Sequence, residues 1–143
     1  MNEKDKKREL EKRKTGQMRM DVVKATPISI GSYVLMRALD VQGLVAKLGL
    51  PEKLVSSGNF LVHTSLNIGG GFYSGFTGRN YVGGAFYFLS CIPNLIDTYN
   101  NEDFSSNMQS FAIKTGVLFG SWALGSLTRK TYDFAKSIYS QSH

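Results

Sequence analysis

The chain reads as an all-α protein, a small multi-span helical membrane protein of three to four short Gly-rich helices with a charged N-terminal arm. Three observations predict this class. Arg79 is the only formally charged residue between Lys53 and Asp97, leaving uncharged windows of 19 residues (Phe60 to Gly78) and 17 residues (Asn80 to Ile96). That is about what an α-helix needs to cross a hydrocarbon core ~30 Å thick at ~1.5 Å per residue. Seven glycines stand in these windows, several of them four residues from another small residue, a spacing that lets helix backbones approach closely in lipid. Finally, residues 1–24 hold nine Lys/Arg and five Asp/Glu, so the mean hydropathy of -0.16 averages a polar head with an apolar middle. The expected organisation is a charged arm (1–24), a transmembrane helical domain (25–128) and a short amphipathic tail (129–143).

The head has neither the apolar core of a secretory signal nor the acid-poor composition of a matrix presequence, since Glu3, Asp5, Glu9 and Glu11 lie among its basic residues. Glu9 with Lys12 or Arg13 offers ion pairs at helical spacing. With no apolar face, the arm is expected to be ordered only against an external surface, an acidic one given its excess of positive charge. Pro27 after Thr26 then suits the first turn of a helix over 28–50, in which Val34, Ala38, Val41, Val45 and Leu48 recur at four- and three-residue steps. This segment reads either as a span, with Arg37 and Asp40 as an intramembrane pair one turn apart, or as an interfacial amphipathic helix. Gly49, Pro51 and Ser56 to Asn59 mark its end.

The two windows are expected to form an antiparallel helical hairpin turning at Gly78-Arg79-Asn80, with Arg79 at an interface. A fourth helix is expected over 110–127. Its uncharged core is short, so Lys114 at one end and Arg129 and Lys130 at the other are expected to snorkel. Gly71 with Gly75, Gly116 with Gly120, and Gly125 after Ser121 are the expected helix-packing positions. Asp97 to Gln109 reads as a polar loop, and Tyr132, Phe134, Ile138 and Tyr139 give the tail an apolar side.

Catalytic patterns are missing from the sequence. His63, His143 and the single Cys91 have no metal-ligand spacing. Phe76 follows Gly75 where a phosphate loop requires Lys, and no acidic residue stands where a dinucleotide fold places one. Glu102-Asp103 has no His or Lys close in sequence. No catalytic, cofactor or metal residue is therefore expected. The net charge of +6 and pI near 9.5 suit an acidic partner. The aromatics from Phe72 to Phe88 are accompanied by Arg79 alone, which argues against a nucleic-acid groove. A Gly-aromatic β-structure is the alternative fold for residues 60–89.

The glycine-rich helix ending at Gly78-Arg79-Asn80, the small residues at four-residue spacing and a length of about 140 residues together resemble the mitochondrial inner-membrane preprotein translocase (Tim) family, which includes a four-helix accessory subunit of respiratory complex I. Ala85, Phe88, Asp103 and Ser110 fall in register with the family signature. Tyr99 stands in place of its Arg, and Phe111 and Thr115 in place of its glycines, which touches a translocation role more than a structural one. The resemblance implies a multi-pass protein of the mitochondrial inner membrane. It would be a non-catalytic accessory subunit of a respiratory-chain complex, or alternatively part of a protein-import or solute-transport assembly. Its partners would be other subunits of a large membrane complex and lipids, with no nucleic acid and no small-molecule substrate.

Overall fold

A computed structural model describes residues 1–50, 59–100 and 104–142. The described chain forms five helices: α1 (Glu3–Ala38), α2 (Val41–Lys47), α3 (Phe60–Thr77), α4 (Asn80–Tyr99) and α5 (Phe104–Gln141). Helix α3 is central and packs against α1, α4 and α5. Its sequence explains why three helices reach it. Successive residues on an α-helix point about 100° apart, so the run Gly69-Gly70-Gly71 opens three directions. A Cβ on Gly69 would strike Ser29 of α1, one on Gly70 would come within 2.7 Å of the Phe86 Cβ of α4, and one on Gly71 would lie 2.5 Å from the Leu118 carbonyl oxygen of α5. One turn on, a Cβ on Gly75 would overlap the Trp122 carbonyl, and one on Gly125 would overlap the Phe72 carbonyl. Helices α3 and α5 therefore touch backbone to backbone, and the Ser126 hydroxyl donates to the Gly75 carbonyl at 3.3 Å.

The α3–α4 turn is short because one side chain organises it. Gly78 closes α3 in the left-handed region (φ 75°), and its N–H donates to the Ser74 carbonyl at 2.8 Å. The buried Ser74 hydroxyl donates to the Arg79 carbonyl at 3.0 Å and accepts from the Gly83 N–H at 2.7 Å, tying both sides of the turn together.

Several expectations are corrected here. No helix among the described residues is long and apolar enough to cross a membrane. This overturns the multi-span membrane fold, and with it the multi-pass inner-membrane placement. The physical error was to equate uncharged with apolar. Helix α3 carries His63, Asn67 and four Ser/Thr residues, α4 carries Asn80, Ser90 and Asn94, and Lys114 interrupts α5. Each such group offsets the transfer free energy of a neighbouring Leu or Phe.

Helix boundaries shift as well. Pro27 lies inside α1, which runs unbroken from the arm into the bundle, so the division drawn at residue 24 falls within one helix. The expected helix over 28–50 is instead the end of α1 followed by α2. The polar loop shrinks, because α4 extends to Tyr99 and α5 begins at Phe104 and continues through the tail. The break at Pro51 and Ser56 to Gly58, the Glu102-Asp103 pair and His143 lie outside the described residues.

Directions of the helices follow from their contacts. Ser29 meets Gly69 and Asp21 meets Tyr73, so α1 runs antiparallel to α3; Leu118 meets Gly71 and Ser126 meets Gly75, so α5 runs parallel to it. Residues 1–20 and 127–142, exposed throughout, thus both project beyond the C-terminal end of α3.

Candidate functional site: a polar interior and an apolar exterior

The distribution of side chains is inverted relative to an ordinary small domain. Among the described residues ten polar or charged side chains are buried, including Asp21, Asn67, Ser90, Asn94 and Lys114, against seven hydrophobic ones. The apolar cluster at the centre is small: Ala25, Tyr73, Val82 and Phe86, with Ile28 and Leu66 packed on it. Large apolar side chains lie outside instead.

Asp21 organises the first polar cluster. Its carboxylate is fully covered, yet the cover is one side chain thick, because Arg79 above it keeps 41% of its side-chain surface in solvent. The carboxylate accepts from the Tyr73 hydroxyl at 2.7 Å, from Gln17 Nε2 at 3.2 Å, from the Arg79 guanidinium and from the Tyr81 hydroxyl. Burial alone pushes the acid's pKa up. The donated bonds of Tyr73, Arg79 and Gln17, with the Arg79 charge, outweigh it and hold the group below the ordinary carboxylate value. Tyr73 moves the opposite way, raised by burial, by its bond to Asp21 and by that negative charge. One side chain on α1 thereby ties down the end of α3 and the start of α4.

The second cluster joins α3, α4 and α5. Asn67 donates to the His63 carbonyl and to the Ser90 hydroxyl, both at 2.9 Å. Lys114 is buried and donates to the Ser90 carbonyl and to the Asn94 side-chain oxygen. His63 is half-buried, and burial first, then the Lys114 charge, lower its pKa. The Tyr87 and Thr115 hydroxyls, 2.8 Å apart, add a further link between α4 and α5.

Both clusters bear on acid stability in the same direction. A group whose folded pKa is lowered takes up its proton first in the unfolded chain, so its contribution is present above the ordinary pKa and lost as pH falls through the folded value. His63 opens that window near its ordinary value of 6.5, and Asp21 extends it below its ordinary 3.8. Chemical-denaturation midpoints are expected to hold steady from pH 8 to 7 and to decline below about 6.5, with His63→Gln removing the upper part of the decline. A midpoint that rises between pH 6.5 and 5 would contradict this assignment.

The residues singled out from sequence fall in varied places. Gly71, Gly75 and Gly125 lie at the α3–α5 contact, whereas Gly116 and Gly120 have no atom within 4 Å of a Cβ built on them. Those two glycines follow the α3-facing residues by the wrong angle and look outward. Arg79 is drawn inward to Asp21 instead of resting at an interface. Lys114 is buried instead of snorkelling, because Asn94 and Ser90 give its ammonium polar partners in the interior. Arg129 forms an exposed ion pair with Asp133 at 3.7 Å, and Lys130 is exposed. Arg37 and Asp40 are both exposed; Asp40, in the left-handed region at φ 48°, caps α2 by accepting from the Gly43 N–H at 3.4 Å. Cys91 is a free, buried thiol. The Asp21 cluster was not identified from sequence, since Asp21 stands there as one more acid in a charged head and its partners outside α1 are 52 to 60 residues away.

The outward face of α4 carries Tyr81, Ala85, Phe88, Ile92 and Leu95, flanked by Leu89 and Ile96. Phe88 is 61% and Ile96 54% exposed. Steps of four, three, four and three residues are those of a helix seam that receives another helix. On α5, Phe119, Leu124 and Leu127 are also more than half exposed. Among the described residues no three His, Cys, Asp or Glu gather as a metal site. Compared with known protein families, with curated proteins and with solved structures, the chain matches none.

Proposed function

We propose that the chain is a non-catalytic accessory subunit that joins a larger protein assembly through the apolar faces of α4 and α5. The observation that carries this reading is the uncovered seam Tyr81, Ala85, Phe88, Ile92 and Leu95. Apolar surface arranged in one stripe on a helix is the pattern left when a partner helix is absent, whereas scattered exposed hydrophobics carry no such message. The interior supports the same reading. Its small, polar core gives the bundle precise cross-links and little buried apolar area of its own, so covering the seam adds the burial that the isolated chain lacks.

A Phe88→Asp, Ile92→Asp double variant tests the reading. Both side chains point away from the bundle, so helicity by circular dichroism is expected to match the parent, while co-migration with partner proteins in native electrophoresis of the tagged chain is lost. Undiminished co-migration of a folded variant would sink the proposal.

A further inference from the structure

We infer that the two projecting helical arms form a basic fork that grips an acidic helical segment of a protein partner, with its anchor in a cavity at the base of the fork. The charge distribution is the first ground. Residues 1–20 hold eight Lys/Arg against four Asp/Glu, and residues 127–143 hold three against one. Residues 21–126 hold six of each, so the entire net charge of +6 belongs to the two arms and the body between them is neutral.

Geometry is the second ground. Because α1 is antiparallel and α5 parallel to α3, the arms leave the bundle at the same end. The α1 arm extends ~27 Å and the α5 arm ~22 Å at ~1.5 Å per residue. Neither buries a side chain in the other, since all of residues 1–20 and 127–142 are exposed. At their base lies a cavity of about 340 Å³ lined by Lys24 of α1, one turn inward from the first arm, by Arg129, Tyr132 and Asp133 of the second arm, and by Arg79 and the end of α3. Lys24 of α1, Arg79 of the α3–α4 turn and Arg129 of α5 supply cations, and Phe76 and Tyr132, with ring centroids 6.5 Å apart, supply an aromatic wall.

The two carboxylates nearest these cations are already engaged, Asp133 with Arg129 and Asp21 with Arg79. Among the described residues one positive charge remains in excess at the cavity, alongside the aromatic wall of Phe76 and Tyr132. That complement suits a carboxylate flanked by apolar side chains. Acids interleaved with the basic residues, Glu3, Asp5, Glu9 and Glu11 on one arm and Asp133 on the other, would repel a continuous row of phosphates, but they find Lys or Arg partners on a mixed protein surface. The occupant is therefore a protein segment and not a nucleic acid. This contact is separate from the seam on α4, and the two fail independently.

The test uses the full chain and a labelled peptide with Glu, Leu and Ala at helical spacing, read by fluorescence anisotropy. Binding is expected to weaken steeply with salt, because exposed charges are screened beyond ~8–10 Å at moderate ionic strength. Replacing every Glu of the peptide by Gln, or introducing Lys24→Glu with Arg129→Glu, is expected to weaken it about tenfold or more. Arg37→Glu with Lys47→Glu changes the net charge equally on the body and is expected to leave binding within about twofold, as is Phe88→Asp with Ile92→Asp. Equal binding of the Gln peptide, equal loss from the body reversal, or full binding by a folded Lys24→Glu, Arg129→Glu chain would overturn the fork. Tighter binding of a short DNA duplex or of phosphatidylserine vesicles than of the Glu peptide would overturn the assignment of its occupant. Undiminished co-migration of the seam variant with peptide binding intact would leave the fork standing by itself.

Discussion

Gly75→Leu is expected to lower the stability of the chain by about 3 kcal/mol or more, while Gly120→Leu changes it by no more than about 1 kcal/mol. The difference comes from what each new side chain meets. At Gly75 even the first added carbon overlaps the Trp122 carbonyl, a backbone atom that moves only if α5 moves. Gly125 presses on the Phe72 carbonyl nearby, so separating the helices at one glycine opens the contact at the other. At Gly120 no atom lies within 4 Å, and leaving glycine favours the helix by up to about 1 kcal/mol. Urea denaturation followed by circular dichroism reads both variants. A Gly75→Leu midpoint equal to that of the parent would show that α3 and α5 do not touch as described.

The second large effect is expected at Asp21. Asp21→Ala withdraws the shared acceptor from Tyr73, Tyr81, Gln17 and Arg79 and leaves the buried Tyr73 hydroxyl without the carboxylate. Removing one partner of a buried pair costs about 3–5 kcal/mol; the low end applies here, since Arg79 is partly in solvent and can rehydrate. Asp21→Asn retains an acceptor but not the charge, and is expected to fall between parent and alanine. The acid-dependent part of the decline below pH 3.8 should vanish with either change. Retention of that step in Asp21→Asn would assign it to another carboxylate.

How much of this was legible in the sequence differs from element to element. The turn at Gly78-Arg79-Asn80 was plain, because a glycine at a helix end followed by charged and polar residues between two long windows has few other readings. The small residues at four-residue spacing pointed to close packing, and Gly71, Gly75 and Gly125 sit where α5 crosses α3. Gly116 and Gly120 share the same spacing and face outward, because spacing locates a stripe on a helix but not the direction in which the stripe points. Helix α4 hid its inward side for a related reason. Ser90 and Asn94 face in with Val82 and Phe86 while Phe88, Ile92 and Leu95 face out, so the helix is amphipathic with its apolar stripe turned away from the bundle, and the pattern does not say which side is buried. The membrane expectation failed on composition, since Asn67 and Lys114 are accommodated by each other's surroundings within the bundle and not by the length of an apolar run. Asp21 was invisible because, apart from Gln17 one turn away on the same helix, its partners at 73, 79 and 81 are brought to it only by the fold.

The uninterrupted course of α1 has a consequence for the shape of the arm before any partner arrives. A free peptide with the composition of residues 3–20 would rarely wind, because starting a helix fixes several residues for a single hydrogen bond, and the nucleation constant is of order 10⁻³. Here the starting turn already exists in the bundle, held by Ala25 and Ser29, both buried, and by the carboxylate of Asp21. The arm only propagates from it, gaining one bond for each residue added. A segment too polar to fold alone is thus wound by its attachment. An occupant of the fork meets a helix whose ordering entropy has largely been lost in advance, and the interaction retains more of its free energy as affinity.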